Sequence, residues 1–132
     1  MIVKLSASML KVTILESGRR VSLNSPYTVT VDGKDITVPA RFTTDFASVP
    51  RLIWWAFPPW GRYAPATVVH DYLYKTGVFS RKKADRIFDE IMRELNVKRW
   101  RRRSMYLGVR LFGRGPWKQR REEKAGGSKA SE

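Results

Sequence analysis

A change of hydrophobic period near residue 45 constrains this chain more than any other feature. Before it, Leu10-Lys-Val-Thr-Ile-Leu15 and Tyr27-Thr-Val-Thr-Val31 alternate or carry β-branched residues, the pattern of half-buried strands. After it, Ala84, Ile87, Phe88, Ile91, Met92 and Leu95 recur at three- and four-residue intervals, the stripe of an amphipathic helix. Strands first and helices second imply an α+β protein. We expect a small N-terminal antiparallel β-sheet of about three to five strands, then a three-helix segment. A chain of 132 residues suits one domain. Its expected extent is 1–121, β-rich over 1–42, connecting over 43–63 and helical over 64–113. Residues 122–132, mostly Gly, Ser, Ala and charge, read as a disordered basic and polar tail.

Local signals place the elements. Asp32-Gly33 between two alternating runs is a two-residue hairpin turn. Ser17-Gly18 and Asn24-Ser25-Pro26 mark other turns. A short helix can start at Ser48, with Pro50 in its first turn. The next helix spans 65–76, with Pro65 in the first turn and Gly77 as the C-terminal cap. Ser80 caps the following one, which runs to Leu95, and the short linker makes the two antiparallel neighbours. A last helix runs from about Arg99 to Phe112 and ends at Gly113.

Composition removes several classes. Without cysteine there are no disulfides and no thiolate metal sites. The longest apolar run, Leu52 to Phe57, is far short of a transmembrane segment, and no signal peptide opens the chain. The expected location is the cytoplasm. The net charge of +14 is uneven: eleven Lys or Arg face two Glu between Lys98 and Lys124. Such a field suits a polyanion, whether nucleic acid, anionic lipid or an acidic protein surface.

The chemistry-bearing candidates centre on the single histidine. His70 and Tyr74 share a helix face, and a helical hairpin can carry Asp85 across to them. A carboxylate there would fix the imidazole tautomer and make His70 a general base for water. Equally, the three can form a satisfied buried network that holds the helices in register. Asp71 points elsewhere on the helix and is a possible ligand for a hard cation such as Ca2+. Asp45 and Ser48 either belong to the same cleft or serve as turn and cap residues. No nucleophile-elbow pattern surrounds Ser48. Trp54, Trp55 and Trp60 suit a lipid interface or a protein partner if exposed, and core packing if not. Arg99, Arg101, Arg102 and Arg103, interleaved with Trp100, suit phosphate contacts on exposed surface. The other explanation is a solvated helix start relieved by Glu90 or Glu94.

The segments Val38 to Arg51 (with Asp45-Phe-Ala-Ser-Val-Pro50), His70-Asp-Tyr-Leu-Tyr74, Ser80-Arg81 with Ala84-Asp85, and Val109-Arg-Leu-Phe-Gly113 carry a resemblance. They are similar to a phage and prophage family called domain of unknown function 1353, over roughly residues 27–118. The resemblance implies a tailed-phage or prophage gene product, virion-associated or in the host cytoplasm, with phage structural proteins as partners. His70-Asp71-x-x-Tyr74 is also similar to the helix motif of secretory and parvoviral phospholipase A2, and Ala84-Asp85-Arg86 to its second-helix motif. That likeness implies a lipid hydrolase. In it His70 is the general base, Asp85 its orienter, Tyr74 a support and Asp71 the Ca2+ ligand. The glycine-rich calcium loop is missing, since Gly61 stands alone before the helix. The alternatives are a non-enzymatic virion or partner-binding protein and a basic nucleic-acid binder.

Overall fold

We describe residues 1–6, 10–15, 20–44, 63–119 and 121 of a computed structural model of the chain. The chain is α+β, as the change of period implies. Among the described residues six strands come first: β1 Val3–Leu5, β2 Val12–Leu15, β3 Arg20–Leu23, β4 Tyr27–Val31, β5 Lys34–Val38 and β6 Thr43–Thr44. Helices α1 Ala64–Thr76, α2 Arg81–Glu94 and α3 Arg99–Phe112 follow. The expected short helix at Ser48 and the expected tail at 122–132 lie outside the described residues.

The strands form two antiparallel three-stranded sheets, ordered β1-β4-β5 and β2-β3-β6, where the alternation suggested one. The chain changes sheet at Asn24-Ser25-Pro26, where Pro26 has no N–H with which to continue a ladder. In the first sheet Tyr27, Val29 and Val31 of β4 and Ile36 and Val38 of β5 are buried. Their outward neighbours bond across the hairpin, Thr28 with Thr37 at 2.9 Å and Thr30 to Asp35 at 2.7 Å. Asp32 (φ 49°) and Gly33 (φ 82°) both take positive φ, the two-residue turn whose twist matches the strands. The Ile2 N–H donates to Asp32 Oδ1 at 2.7 Å, which ties the start of the chain to the turn. Thus the hairpin signal specifies both the turn and the docking of β1, which pairs Val3 with Val31.

In the helical half, α1 is central. Ala66, Val68, Val69 and Leu73 are buried together with the polar Thr67, His70, Asp71 and Tyr74, so it is covered nearly all round. Gly77 ends it at φ 63°, donating to Leu73 O at 2.9 Å, as expected. Ser80 Oγ accepts from Lys83 N at 3.2 Å and caps α2, which buries Ala84, Ile87, Phe88, Ile91 and Met92. Each such large apolar side chain contributes about 1.5–3 kcal/mol when fully buried. Asn96, at φ 59°, closes α2: Asn96 N–H reaches Arg93 O and Val97 N–H reaches Met92 O, both at 3.0 Å. This short closure turns the chain back along α2 as α3.

Gly113 caps α3, which runs Arg99–Phe112 as expected, but not in a left-handed conformation. It is right-handed (φ −78°), and helical backbone resumes over 114–119. The glycine is needed for space instead: a Cβ there would lie 2.7 Å from the Tyr74 hydroxyl and 2.4 Å from Val109 O. Among the described residues no helix is long and apolar enough to cross a membrane.

Candidate functional site

The hairpin of α1 and α2 brings His70, Tyr74 and Asp85 together, and α3 adds a residue not anticipated. His70 and Tyr74 lie one turn apart on α1, facing Asp85 in the first half of α2. Asp85 Oδ1 accepts from His70 Nε2 at 2.7 Å and from the Tyr74 hydroxyl at 2.6 Å. Asp85 Oδ2 accepts from Arg110 Nη1 at 2.7 Å, and Arg81 Nε stands 4.0 Å from it. His70, Tyr74 and Asp85 have no exposed surface, whereas Arg110 keeps 30% of its side chain exposed. The His70 ring is held between Tyr74, at 4.3 Å, and Phe88, at 4.7 Å between centroids.

Electrostatics follow from this arrangement. Burial pushes the Asp85 carboxyl up, but hydrogen bonds from His70, Tyr74 and Arg110 outweigh it and hold the group below the usual carboxylate range. Burial, reinforced by the Asp85 charge, pushes the Tyr74 phenol well above its ordinary value, so it stays a donor. The bond to Asp85 raises the Arg110 guanidinium further. An ionised Asp85 accepts at Nε2, so a proton sits on that nitrogen and the bond fixes the orientation of the ring.

Arg81 and Arg110 were the missed members. Both lie inside segments that carry the family resemblance, which gives neither a role. Arg81 Nη2 also donates to Val109 O at 2.8 Å and Arg110 O at 2.6 Å, which fastens the last turn of α3 beside Asp85. From the other side Trp117 sets its edge against Tyr74, with centroids 5.3 Å apart. Arg121 stacks on Trp117 at 4.8 Å and donates to Tyr74 O and Lys75 O at 2.6 and 2.7 Å. Residues beyond α3 thus reach back to close the site.

Asp71 is fully buried on the same helix. Ca2+ takes about six to eight oxygen ligands. Among the described residues no group of three or more His, Asp or Glu could hold a metal ion. The segment before α1 that would have to supply the other calcium ligands of the phospholipase likeness, 45–62, lies outside the described residues. Asp45, Ser48, Trp54, Trp55 and Trp60 lie outside the described residues.

The basic segment differs from expectation. Arg99 and Arg103 are exposed, but Arg101 and Arg102 are half-buried. Arg102 Nη1 donates to both oxygens of Asp89, at 3.1 and 3.2 Å. Relief of the crowded charges therefore comes from Asp89, not from Glu90 or Glu94, because Asp89 is the carboxylate that α2 turns toward α3. Glu90 stands 4.0 Å from Arg93 on its own helix.

Sequence similarity settles the family. The family described as protein of unknown function (DUF1353) matches residues 21–109, more than half of the chain. The chain belongs to this family. The match takes in His70, Tyr74, Arg81 and Asp85 and stops one residue before Arg110. A relative named uncharacterized protein y4jT, from Sinorhizobium fredii (strain NBRC 101917 / NGR234), is 33% identical over 78 residues. The similarity spans 58% of this chain and 23% of that relative, so the chain accounts for under a quarter of the relative's length. No solved structure matches.

Proposed function

We propose that this member of the family is a phage or prophage accessory protein with a hydrolase site of the phospholipase A2 kind, in which His70 is the general base. The observation that carries the reading is the bond from His70 Nε2 to Asp85 at 2.7 Å, with Tyr74 on the same carboxylate oxygen and Arg110 on the other. In the reaction, the His70 imidazole takes a proton from water as the water oxygen attacks an ester carbonyl. Asp85 stabilises the imidazolium that forms. His70 then returns the proton to the leaving alkoxide, which closes the cycle. Arg110 and Tyr74 keep Asp85 ionised and oriented throughout.

A second reading rests on a different observation: His70, Tyr74 and Asp85 are fully covered. In that reading the network pins three helices together in a non-enzymatic virion or accessory protein. One experiment separates the two. Fatty-acid release from phospholipid vesicles is measured for the wild type and for His70→Asn, with and without calcium, beside the unfolding midpoint of each. The hydrolase reading expects release by the wild type and its loss in the variant. No release under any condition removes the hydrolase and leaves the pin.

A further inference from the structure

The outer face of α3 carries a feature that the buried network does not use. Trp100, Leu107 and Leu111 are 57%, 57% and 71% exposed. At about 100° per residue they fall within about 40° of one another around the helix axis, forming one strip along its length. Arg99, Arg103 and Arg110 occupy the adjoining sector, also within about 40°. Two of them, Arg99 and Arg103, are themselves exposed. They line a shallow cavity with Lys98 and Trp100, so cation and indole share one surface. Beside it Arg99, Arg102, Arg103 and Tyr106 of α3 and Arg93 of α2 line a second cavity that holds the single carboxylate Asp89. The excess positive charge there is the chemistry of a phosphate group.

We propose that this face of α3 docks on an anionic phospholipid surface, with Trp100, Leu107 and Leu111 entering the headgroup boundary and the flanking Arg99 and Arg103 taking lipid phosphates. Charge complementarity selects a polyanion, and the leucines select the lipid among polyanions. An exposed aliphatic strip gains by leaving water, whereas a nucleic-acid backbone offers it no apolar surface. The strip lies on one convex helix with arginine along its edge, a shape suited to a plane more than to a cleft. Charge alone holds a helix weakly at a membrane, and the apolar strip alone selects no lipid; together they give binding that needs both.

The test is vesicle flotation with full-length protein, comparing phosphatidylcholine vesicles with phosphatidylcholine–phosphatidylglycerol vesicles at about 3:1, over a salt series in which screening shortens to about 8 Å at 0.15 M. The expected result is flotation with the anionic vesicles alone, falling as salt rises. Leu107→Gln/Leu111→Gln and, separately, Arg99→Gln/Arg103→Gln should each weaken it about tenfold or more while leaving the melting temperature within a few degrees. If the leucine variant does not fold, the arginine variant carries the test alone. Failure to float with anionic vesicles overturns the proposal. So does flotation of the leucine variant equal to wild type, which would mark a surface that reads charge only. Binding to duplex DNA with none to vesicles makes the patch a nucleic-acid surface instead. Flotation reads binding rather than ester cleavage, so its outcome is separable from that of the hydrolase assay.

Discussion

Asp85 and Asp89 sit one turn apart on α2, and each receives an arginine from α3. Their surroundings differ. Asp85 has no exposed surface and distributes its two oxygens among His70, Tyr74 and Arg110. Asp89 keeps 24% of its side chain exposed and gives both oxygens to Arg102. A carboxylate removed from water needs partners on both oxygens, so the deeper aspartate recruits groups from the two neighbouring helices. The shallower one is completed by solvent and needs one partner. The lesson concerns location: the same ion pair organises a site when buried and only trims repulsion at a surface.

The contrast can be broken most severely at Asp85. Asp85→Asn removes the charge while Arg110 remains, and should lower stability by about 3–5 kcal/mol in urea unfolding at neutral pH. Its pH dependence has a defined sign. Because the folded carboxyl is held low, its contribution is present above about 3.9, the unfolded value, and is lost as pH falls through the folded one. The difference between wild type and variant should therefore hold steady near neutrality and shrink in acid. A difference that ignores pH would show that the charge is not what Asp85 contributes.

Tyr74→Phe keeps the ring against His70 and Trp117 but deletes a donor to a charged acceptor, and should cost about 1.5–3 kcal/mol. The folded phenol is raised, so its contribution is present below about 10 and declines as pH rises beyond that value. The variant should lose part of the alkaline destabilisation seen in wild type, as alkaline melts would record.

Gly113→Ala tests how closely α3 must approach the buried carboxylate's partners. The added methyl meets the Tyr74 hydroxyl and Val109 O, and about 1–3 kcal/mol should be lost. Combining it with Tyr74→Phe should give less than the sum, because the two share a contact.

At the shallow end, Arg102→Gln should change stability by only about 0.2–1 kcal/mol, and less at high salt. A loss as large as that of Asp85→Asn would erase the distinction between the two aspartates.

The sequence made the helical hairpin and its contents legible for local reasons. Gly77 and Ser80 are strong end signals, and His70, Tyr74 and Asp85 follow from helical spacing once the two helices are antiparallel. Asp32-Gly33 was equally plain, since that pair tolerates two successive positive φ values. Three things could not be read. Asn96 closes α2 through a left-handed conformation, which asparagine tolerates but does not by itself announce. Gly113 is legible as a terminator, but its second role, making room for a hydroxyl from another helix, is not. Arg110 is one cation among many in a basic segment, and only the angle of α3 selects it for Asp85. Each depends on tertiary placement, which periodicity does not encode.

The reach of the later residues back to α1 bears on where fragments of this protein can be cut. A boundary drawn where the family similarity stops, at residue 109, would omit Arg110, Trp117 and Arg121. Such a fragment would keep the whole matched region, yet it would bury Asp85 without its arginine and uncap the carbonyls of Tyr74 and Lys75. Insolubility of that piece would report a misplaced scissor, and expression designs should run past residue 121.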